Sequence, residues 1–443
     1  MKKVILLALC VCASRTAPAQ EKLSLAEAIA LGAANSRTAR IAQARAEGAS
    51  ARASEVLAAL LPSLKADGSF RRLSEVDPFR VQLPGMPQPV TISPVVLGTY
   101  TTHIGLQQPI FTGFKLLSNA RAARALATAA EADVRGDLAD LTLTIVSAYW
   151  ALHQAREVRR AVDENVARLE SYVKDSESMM REGMLTRADL LKIQVQLSSA
   201  RVAQIDAAND SQLAQMNCSL VLGLPLETEL ELTSQPGAVR SEIPPLTGVA
   251  LPELRTRALE GRPDLLATGS RVEATRASLT AARGNWWPQV FFGGNYYYSR
   301  PNARLLPTRD EWVGTWDLGV TVTLDLWNWG ATLRQVEQAE ANLRQQELLL
   351  EQMKEGAKLD VTRAHLQAAQ AVRKLDVASL AVAQAEESLR MTRDRYTQAL
   401  ATPSDLLDAE VALLQAVLGR SAASIEKEVS ETRLAKAVGI LAP

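Results

Sequence analysis

The chain has 443 residues, with 49 basic and 49 acidic side chains and a formal net charge of zero. That balance gives no case for a nucleic-acid partner. Three scattered histidines (His103, His153 and His365) and the absence of any glycine-lysine phosphate loop argue against an enzyme, a metal site or any cofactor.

The N-terminus reads as a secretory signal peptide over residues 1–19. Lys2 and Lys3 supply the positive charge, Val4 to Val11 the short apolar run, and Ala17-Pro18-Ala19 the small residues before cleavage at Gln20. The run is too short to anchor in a bilayer. Cys10 and Cys12 leave with this segment, and Leu9 is a poor residue to precede a lipidated cysteine. Cys218 then stands alone, so packing rather than disulfides must hold the mature protein.

Residues 20–223 form the first of two internal repeats. An alanine-rich helical pattern runs from Leu23 to Leu60 and ends at Leu61-Pro62. Two alternating segments follow, at about 62–72 and 101–111, separated by a loop holding five prolines between Pro78 and Pro94. In the first, Leu64, Ala66, Gly68 and Phe70 oppose Lys65, Asp67, Ser69 and Arg71; in the second, Thr102, Ile104 and Leu106 oppose Thr101, His103 and Gln107. Pro109-Ile-Phe-Thr-Gly113 closes this hairpin. From Lys115 to about Ser178 the chain is helical in pattern and free of proline, and a return helix keeps Leu190, Ile193, Leu197 and Ala200 at coiled-coil spacing.

Residues 224–250 are a proline-rich linker with a short strand expected at Glu229 to Thr233. The second repeat, 251–443, restates the first: a helical pattern from Leu251 to Trp286, strands at about 288–298 and 317–327, a long helix from Ala331 to about Tyr396, and a return helix with Leu407, Val411, Leu414, Leu418 and Ile425 at the expected seam. Its last strand puts Leu318, Val320, Val322, Leu324 and Leu326 against Asp317, Thr321, Thr323 and Asp325. Six of the seven tryptophans (286, 287, 312, 316, 327 and 329) crowd into this region with Tyr296, Tyr297 and Tyr298, as suits a membrane interface. The interval from Asp189 to Asp405 equals that from Gly223 to Gly439, so an entire unit is duplicated.

The fold class expected is mainly α with a transmembrane β section. Strands of about ten residues suit a tilted crossing of a bilayer. Helices of over about sixty residues reach about 90 Å and call for coiled-coil packing; the charged residues along them read as solvated faces. Four strands cannot close a barrel, and open edges are costly in hydrocarbon, so strands must come from further copies of the chain. Two copies give an interior about filled by side chains, whereas three or more leave a channel.

The order and duplication of these pieces resemble the outer-membrane efflux protein (TolC) family across essentially the whole mature chain. The motifs that carry the resemblance are Leu23-Ser-Leu-Ala-Glu-Ala-Ile29, Pro109-Ile-Phe-Thr-Gly113, Gly183-Met-Leu-Thr-Arg-Ala-Asp-Leu-Leu191 and Thr402-Pro-Ser-Asp-Leu-Leu-Asp-Ala409. The resemblance implies a homotrimer with a twelve-stranded barrel, seated in outer-membrane lipid with a long periplasmic extension. It also implies that the trimer is an exit duct for small molecules or secreted polypeptides, joined to a periplasmic adaptor and an inner-membrane transporter.

Function is expected to concentrate at the two hairpin tips. At one, Gly183, Met184, Leu185 and Thr186 separate the long helix from its return; at the other, Ala399, Leu400 and Thr402 do so, with Pro403 at a first helical position. By resemblance these tips meet the adaptor, and Ala399 in place of the family's commoner glycine points to a looser turn. Asp405 and Asp408 share one helix face and serve as helix-capping acids or, in a trimer, as two carboxylate rings that favour cations. Tyr396, Asp405 and Asp408 match three of the family's gate residues; Ala401 stands at the family arginine, with Arg395 nearby, and Lys192 replaces the second aspartate of the first repeat. The rival reading is a non-channel structural or adhesion coiled-coil protein of the envelope.

Overall fold

The protein is described from a computed structural model covering residues 21–82, 84–93, 95–237, 246–398 and 400–441. The expected signal peptide and its cleavage point at Gln20 lie outside the described residues, as do Pro94, Pro244, Pro245 and the tip residue Ala399.

The first half runs through β1 (Glu21–Leu23), α1 (Leu25–Asn35), α2 (Arg37–Ala58), β2 (Ser63–Arg72), β3 (Phe79–Val81), β4 (Val90–Ser93), β5 (Gly98–Phe111), α3 (Lys115–Arg181) and α4 (Arg187–Leu222). After β6 (Leu230–Leu232) come α5 (Leu251–Gly261), α6 (Pro263–Arg283), β7 (Gln289–Arg300), β8 (Val313–Thr323), α7 (Ala331–Thr397) and α8 (Pro403–Val438). Helices α3 and α7 both contain 67 residues, and α4 and α8 both contain 36. Each boundary of α7 and α8 follows its counterpart in α3 and α4 by the same interval that separates Asp189 from Asp405.

Several boundaries differ from the sequence reading. Leu23 ends a strand rather than starting a helix: Ser24 caps α1 in a capping box with Glu27, which explains the Leu-Ser-Leu-Ala-Glu pattern. The first helical pattern breaks at Ser36, whose hydroxyl accepts from the backbone N–H groups of Thr38 and Ala39. The second breaks at Arg262, because Pro263 turns the residue before it away from helical geometry. The proline-rich loop holds the small antiparallel β3–β4 pair. Strand β8 begins at Val313 and stops at Thr323, so Leu324 and Leu326 lie beyond it; its partner β7 starts at Gln289, opposite Thr323, and offers no ladder further on.

The chain divides into two compact units, each drawing on both repeats. The helical unit comprises residues up to Gln43, Asp133–Leu265 and from Met353 onward; the sheet unit comprises Ala44–Ala132 and Leu266–Gln352. In the helical unit one core gathers Leu23, Ile145, Tyr149, Trp150, Leu222 and Leu230 around the parallel β1–β6 pair. The Tyr149 hydroxyl fastens this pair, donating to the Leu23 carbonyl at 3.0 Å and accepting from the Ser234 N–H at 3.1 Å. A second core uses Leu254, Val361, Ala368, Leu434 and Val438, and a third uses Leu169, Tyr172, Ile193, Leu389, Tyr396 and Leu406. The face that α8 buries is thus Leu406, Ala409 and Glu410 with Ile425 and Val429; of the expected seam Ile425 is buried, whereas Val411 is exposed and Leu407, Leu414 and Leu418 are only half-buried.

Candidate functional site: the strand sheet and the hairpin tips

In the sheet unit, β2, β5, β7 and β8 form one antiparallel sheet in the order β2-β5-β7-β8. The central β5–β7 pairing joins the two repeats, with Ile104 opposite Tyr296 and Gly105 opposite Asn295. Alternation sorts the side chains by chemistry on all four strands. One face carries Leu64, Phe70, Tyr100, Ile104, Tyr296, Tyr298, Trp316, Leu318, Val320 and Val322, every one exposed. The opposite face carries a hydrogen-bonded row that crosses the whole sheet. Asp67 Oδ1 lies 2.8 Å from His103 Nδ1, His103 Nε2 is 3.0 Å from Asn295 Oδ1, Asn295 Nδ2 donates to Asp317 at 2.8 Å, and Arg304 donates to Asp317 at 2.8 Å. His103 also stacks on Tyr297, with ring centres 4.6 Å apart. Among the described residues each outer strand, β2 and β8, has one neighbour, so the sheet ends there in two unpaired edges.

The sheet passes into the long helices through a pair of left-handed residues. Gly113 and Phe114 have φ of 60° and 65°, and their equivalents in the second repeat, Trp329 and Gly330, have 57° and 81°. A side chain at Gly113 would meet the Trp287 Cβ at 2.7 Å and the backbone of Gly284, so this crossing requires glycine.

In the helical unit, the first tip closes with the Met184 N–H on the Met179 carbonyl at 2.9 Å and the Gly183 N–H on the Met180 carbonyl at 3.1 Å, with φ of 76° at Gly183. The second tip closes with the Leu400 N–H on the Arg395 carbonyl at 2.8 Å. This bond is the counterpart of the Met184 bond in the first repeat; the expectation of a looser turn falls on Ala399, which lies outside the described residues. Met184 and Leu400 are exposed, and Leu185 is half-buried.

Each return helix opens on a threonine cap. Thr186 accepts from the Asp189 N–H at 3.2 Å and donates to the Asp189 carboxylate at 2.6 Å. Thr402 makes the same two bonds with Asp405 at 3.2 and 2.7 Å, and its own N–H adds a third at 2.8 Å. The Thr402 hydroxyl and N–H hold the Asp405 carboxyl below the usual carboxylate range, with a smaller contribution from Arg395. Asp405 is thus both a capping acid and an exposed charge. Asp408, one turn on, is exposed and makes no hydrogen bond among the described residues. Lys192 lies 3.6 Å from Asp189 on its own helix, and Arg395 reaches the Leu400 carbonyl at 3.5 Å. Tyr396 is only 3% exposed, with its hydroxyl 2.9 Å from that of Ser176. The structure therefore brings Arg395, Leu400, Thr402 and Asp405 together at one tip, and sets Tyr396 inside the core between α3 and α7.

Sequence reasoning missed Glu410, which is buried among Asn165, Arg168 and Tyr172 of α3 rather than lying on a solvated face. Its spacing of four from the buried Leu406 was the available indication.

The sequence profile described as outer membrane efflux protein matches residues 29–224 and 254–440, and the chain belongs to that family. It is 22% identical over 346 residues to the alkaline protease secretion protein AprF of Pseudomonas aeruginosa, covering 77% of this chain and 70% of that one. It is 24% identical over 326 residues to the outer membrane efflux protein BepC of Brucella suis, covering 72% and 69%. Among solved structures it resembles the CmeC outer membrane channel of Campylobacter jejuni, with a TM-score of 0.80, 17% identity and coverage of 94% of this chain and 86% of that one. CusC gives a TM-score of 0.79 at 17% identity, covering 94% and 92%. The chain is an outer-membrane protein of the efflux and secretion channel family, whose members transport rather than catalyse.

Proposed function

We propose that three copies of this chain close a twelve-stranded barrel in the outer membrane and form an exit duct for cargo delivered by an inner-membrane transporter. The observation that carries this reading is the four-stranded sheet, with one exposed apolar face, one hydrogen-bonded polar face and two unpaired edges. In hydrocarbon each unpaired backbone group costs several kcal/mol, so each edge needs a strand from a further copy. Two copies would give an eight-stranded barrel filled by side chains; three leave a water-filled lumen for the polar row.

The helices support the same assembly. On α4, Leu191, Val195, Val202, Ile205, Leu213 and Leu220 are all exposed at near-heptad spacing, a seam that a neighbouring copy would cover. Residues 1–19 act as the export signal, 20–223 and 251–443 as the two repeats, and 224–250 as the linker. The periplasmic adaptor docks at the tips, on Gly183, Met184, Leu185, Thr186, Ala399, Leu400 and Thr402. The duct narrows at rings of Asp405 and Asp408, with Tyr396, Arg395 and Lys192 around them. The relatives' names include both a protease secretion protein and an efflux protein, in keeping with a cargo of small molecules or of secreted polypeptides.

The test is single-channel conductance of the purified protein in a planar bilayer, beside a D405A/D408A variant. A small, cation-selective resting conductance that loses selectivity in the variant supports the duct and its acidic ring. Absence of any pore from folded protein overturns the reading in favour of a structural coiled-coil protein.

A further inference from the structure

Among the described residues Glu410 is the only Asp, Glu, Lys, Arg or His side chain that is buried, at 1% exposure. It lies on α8 two turns past the Thr402 cap, at the root of the second tip. Every partner it has comes from one face of α3, at spacings of three and four residues. The Tyr172 hydroxyl donates to Oε1 at 2.7 Å, Arg168 Nε donates to the two oxygens at 3.0 and 3.2 Å, and Asn165 Nδ2 donates to Oε2 at 3.4 Å. From α7, the Arg393 guanidinium lies over the Tyr172 ring at 6.0 Å. Burial and the bond to Glu410 push the Tyr172 hydroxyl well above its ordinary pKa, so it stays a donor.

Two further observations separate this cluster from a general fastening of the coiled coil. It occurs once: the equivalent positions of the other repeat hold Gln194, Ala381, Gln384 and Ser388, which cannot rebuild it. It is also polar where the surrounding core is apolar, formed by Val166, Leu169, Ile193, Leu406 and Ala409. An apolar joint resists separation by the area it would expose. A carboxylate and a guanidinium exchange each other for water when they part. Arg168 is already 29% exposed, so water reaches the joint from one side.

We propose that Glu410, with Arg168, Tyr172 and Asn165, is a reversible lock that holds the α7–α8 hairpin against α3 when the duct is closed. Glu410 is a positioning residue: it acts on conduction through the hairpin it anchors. The Tyr396–Ser176 bond lies nearer the tip on the same pair of hairpins, so the tip of α7 and the root of α8 are both tied to α3. Outward movement of the α7–α8 hairpin must break the Glu410 cluster before the tip can widen. The proposal rests on the duct reading above.

The experiment compares resting single-channel conductance of full-length wild type, Glu410→Gln and Tyr172→Phe in planar bilayers, with thermal stability measured in parallel. Both variants are expected to raise the resting open probability on the order of tenfold, the effect of losing one hydrogen bond to a charged group. Arg168→Lys, which keeps the charge, stays closer to wild type than Arg168→Gln. Should Glu410→Gln fail to assemble, Tyr172→Phe, which removes one oxygen, decides the matter. Lowered thermal stability with wild-type resting conductance in Tyr172→Phe and every assembled variant overturns the lock and leaves the duct standing. A wild-type protein that forms no pore overturns the duct reading, and the lock with it.

Discussion

Asp405 accepts both the backbone N–H and the hydroxyl of Thr402, at 2.8 and 2.7 Å, in the counterpart of the cap in which Thr186 donates its hydroxyl to Asp189 in the first repeat. This cap sets where α8 begins, and so where the Asp405 and Asp408 carboxylates stand at the tip. Thr402→Ala removes the hydroxyl and is expected to cost about 1 kcal/mol of local helix stability. Amide exchange over residues 404–407 should quicken, with little change in the middle of α8. Because Asp405 titrates below its ordinary value of about 3.9, its contribution is complete above that value and disappears as pH falls through the depressed one. Protection at the start of α8, corrected for intrinsic rates, should therefore hold from about pH 7 to about pH 5. Loss within that window would show that the carboxylate does not carry the cap.

Gly113 and Gly48 make a matched pair of alanine substitutions. At Gly113 a Cβ meets Trp287 at 2.7 Å and the backbone has φ of 60°, whereas Gly48 sits in α2 with nothing within 4 Å of the added atom. Gly113→Ala should disrupt the strand-to-helix crossing and sharply reduce the yield of assembled, heat-modifiable protein. Gly48→Ala should be neutral or stabilising by up to about 1 kcal/mol. Equal yields from the two variants would mean the crossing tolerates what its geometry forbids.

Six tryptophans are exposed (286, 287, 312, 316, 327 and 329), all in the sheet unit, while Trp150 is buried in the helical unit. In vesicles of brominated lipid most of the tryptophan emission should be quenched, leaving the Trp150 component. Aqueous quenchers that reach the six as readily as lipid quenchers would contradict a membrane belt.

The buried Tyr396 hydroxyl shares a hydrogen bond with that of Ser176, so Tyr396→Phe removes this bond and keeps the ring. A loss of about 1 kcal/mol is expected, read as faster exchange at the end of α7. Unchanged exchange there would show that packing in the surrounding core, and not the bond, positions the residue.

The large features of the fold were legible because they are periodic. Proline-free helical patterns and alternating strands recur in the second half, and the structure places Lys115 and Ala331, and Arg187 and Pro403, at equivalent helix starts. What escaped depends on partners. The alternation through Leu326 continues past the end of β8 because sequence cannot show where β7 stops pairing. Helix α8 carries apolar residues on more than one face, so spacing alone favoured Leu407 and Val411 over Leu406 and Ala409. Glu410 looked like a solvent-facing charge because its donors lie far away in the chain, on α3. The break at Arg262 was readable from Pro263, whereas that at Ser36 depends on a side chain choosing a capping geometry.

The claim on which the rest depends is that the unpaired edges of β2 and β8 are completed by further copies of the chain. The most direct measurement is cryo-electron microscopy of the particle extracted from the outer membrane, with its mass determined in the same detergent. The expected result is a threefold particle of three chains, with the β2 edge of each copy hydrogen-bonded to the β8 edge of the next in a ring of twelve strands. A stable monomer or dimer in that membrane, or strand edges covered by another polypeptide, would contradict it.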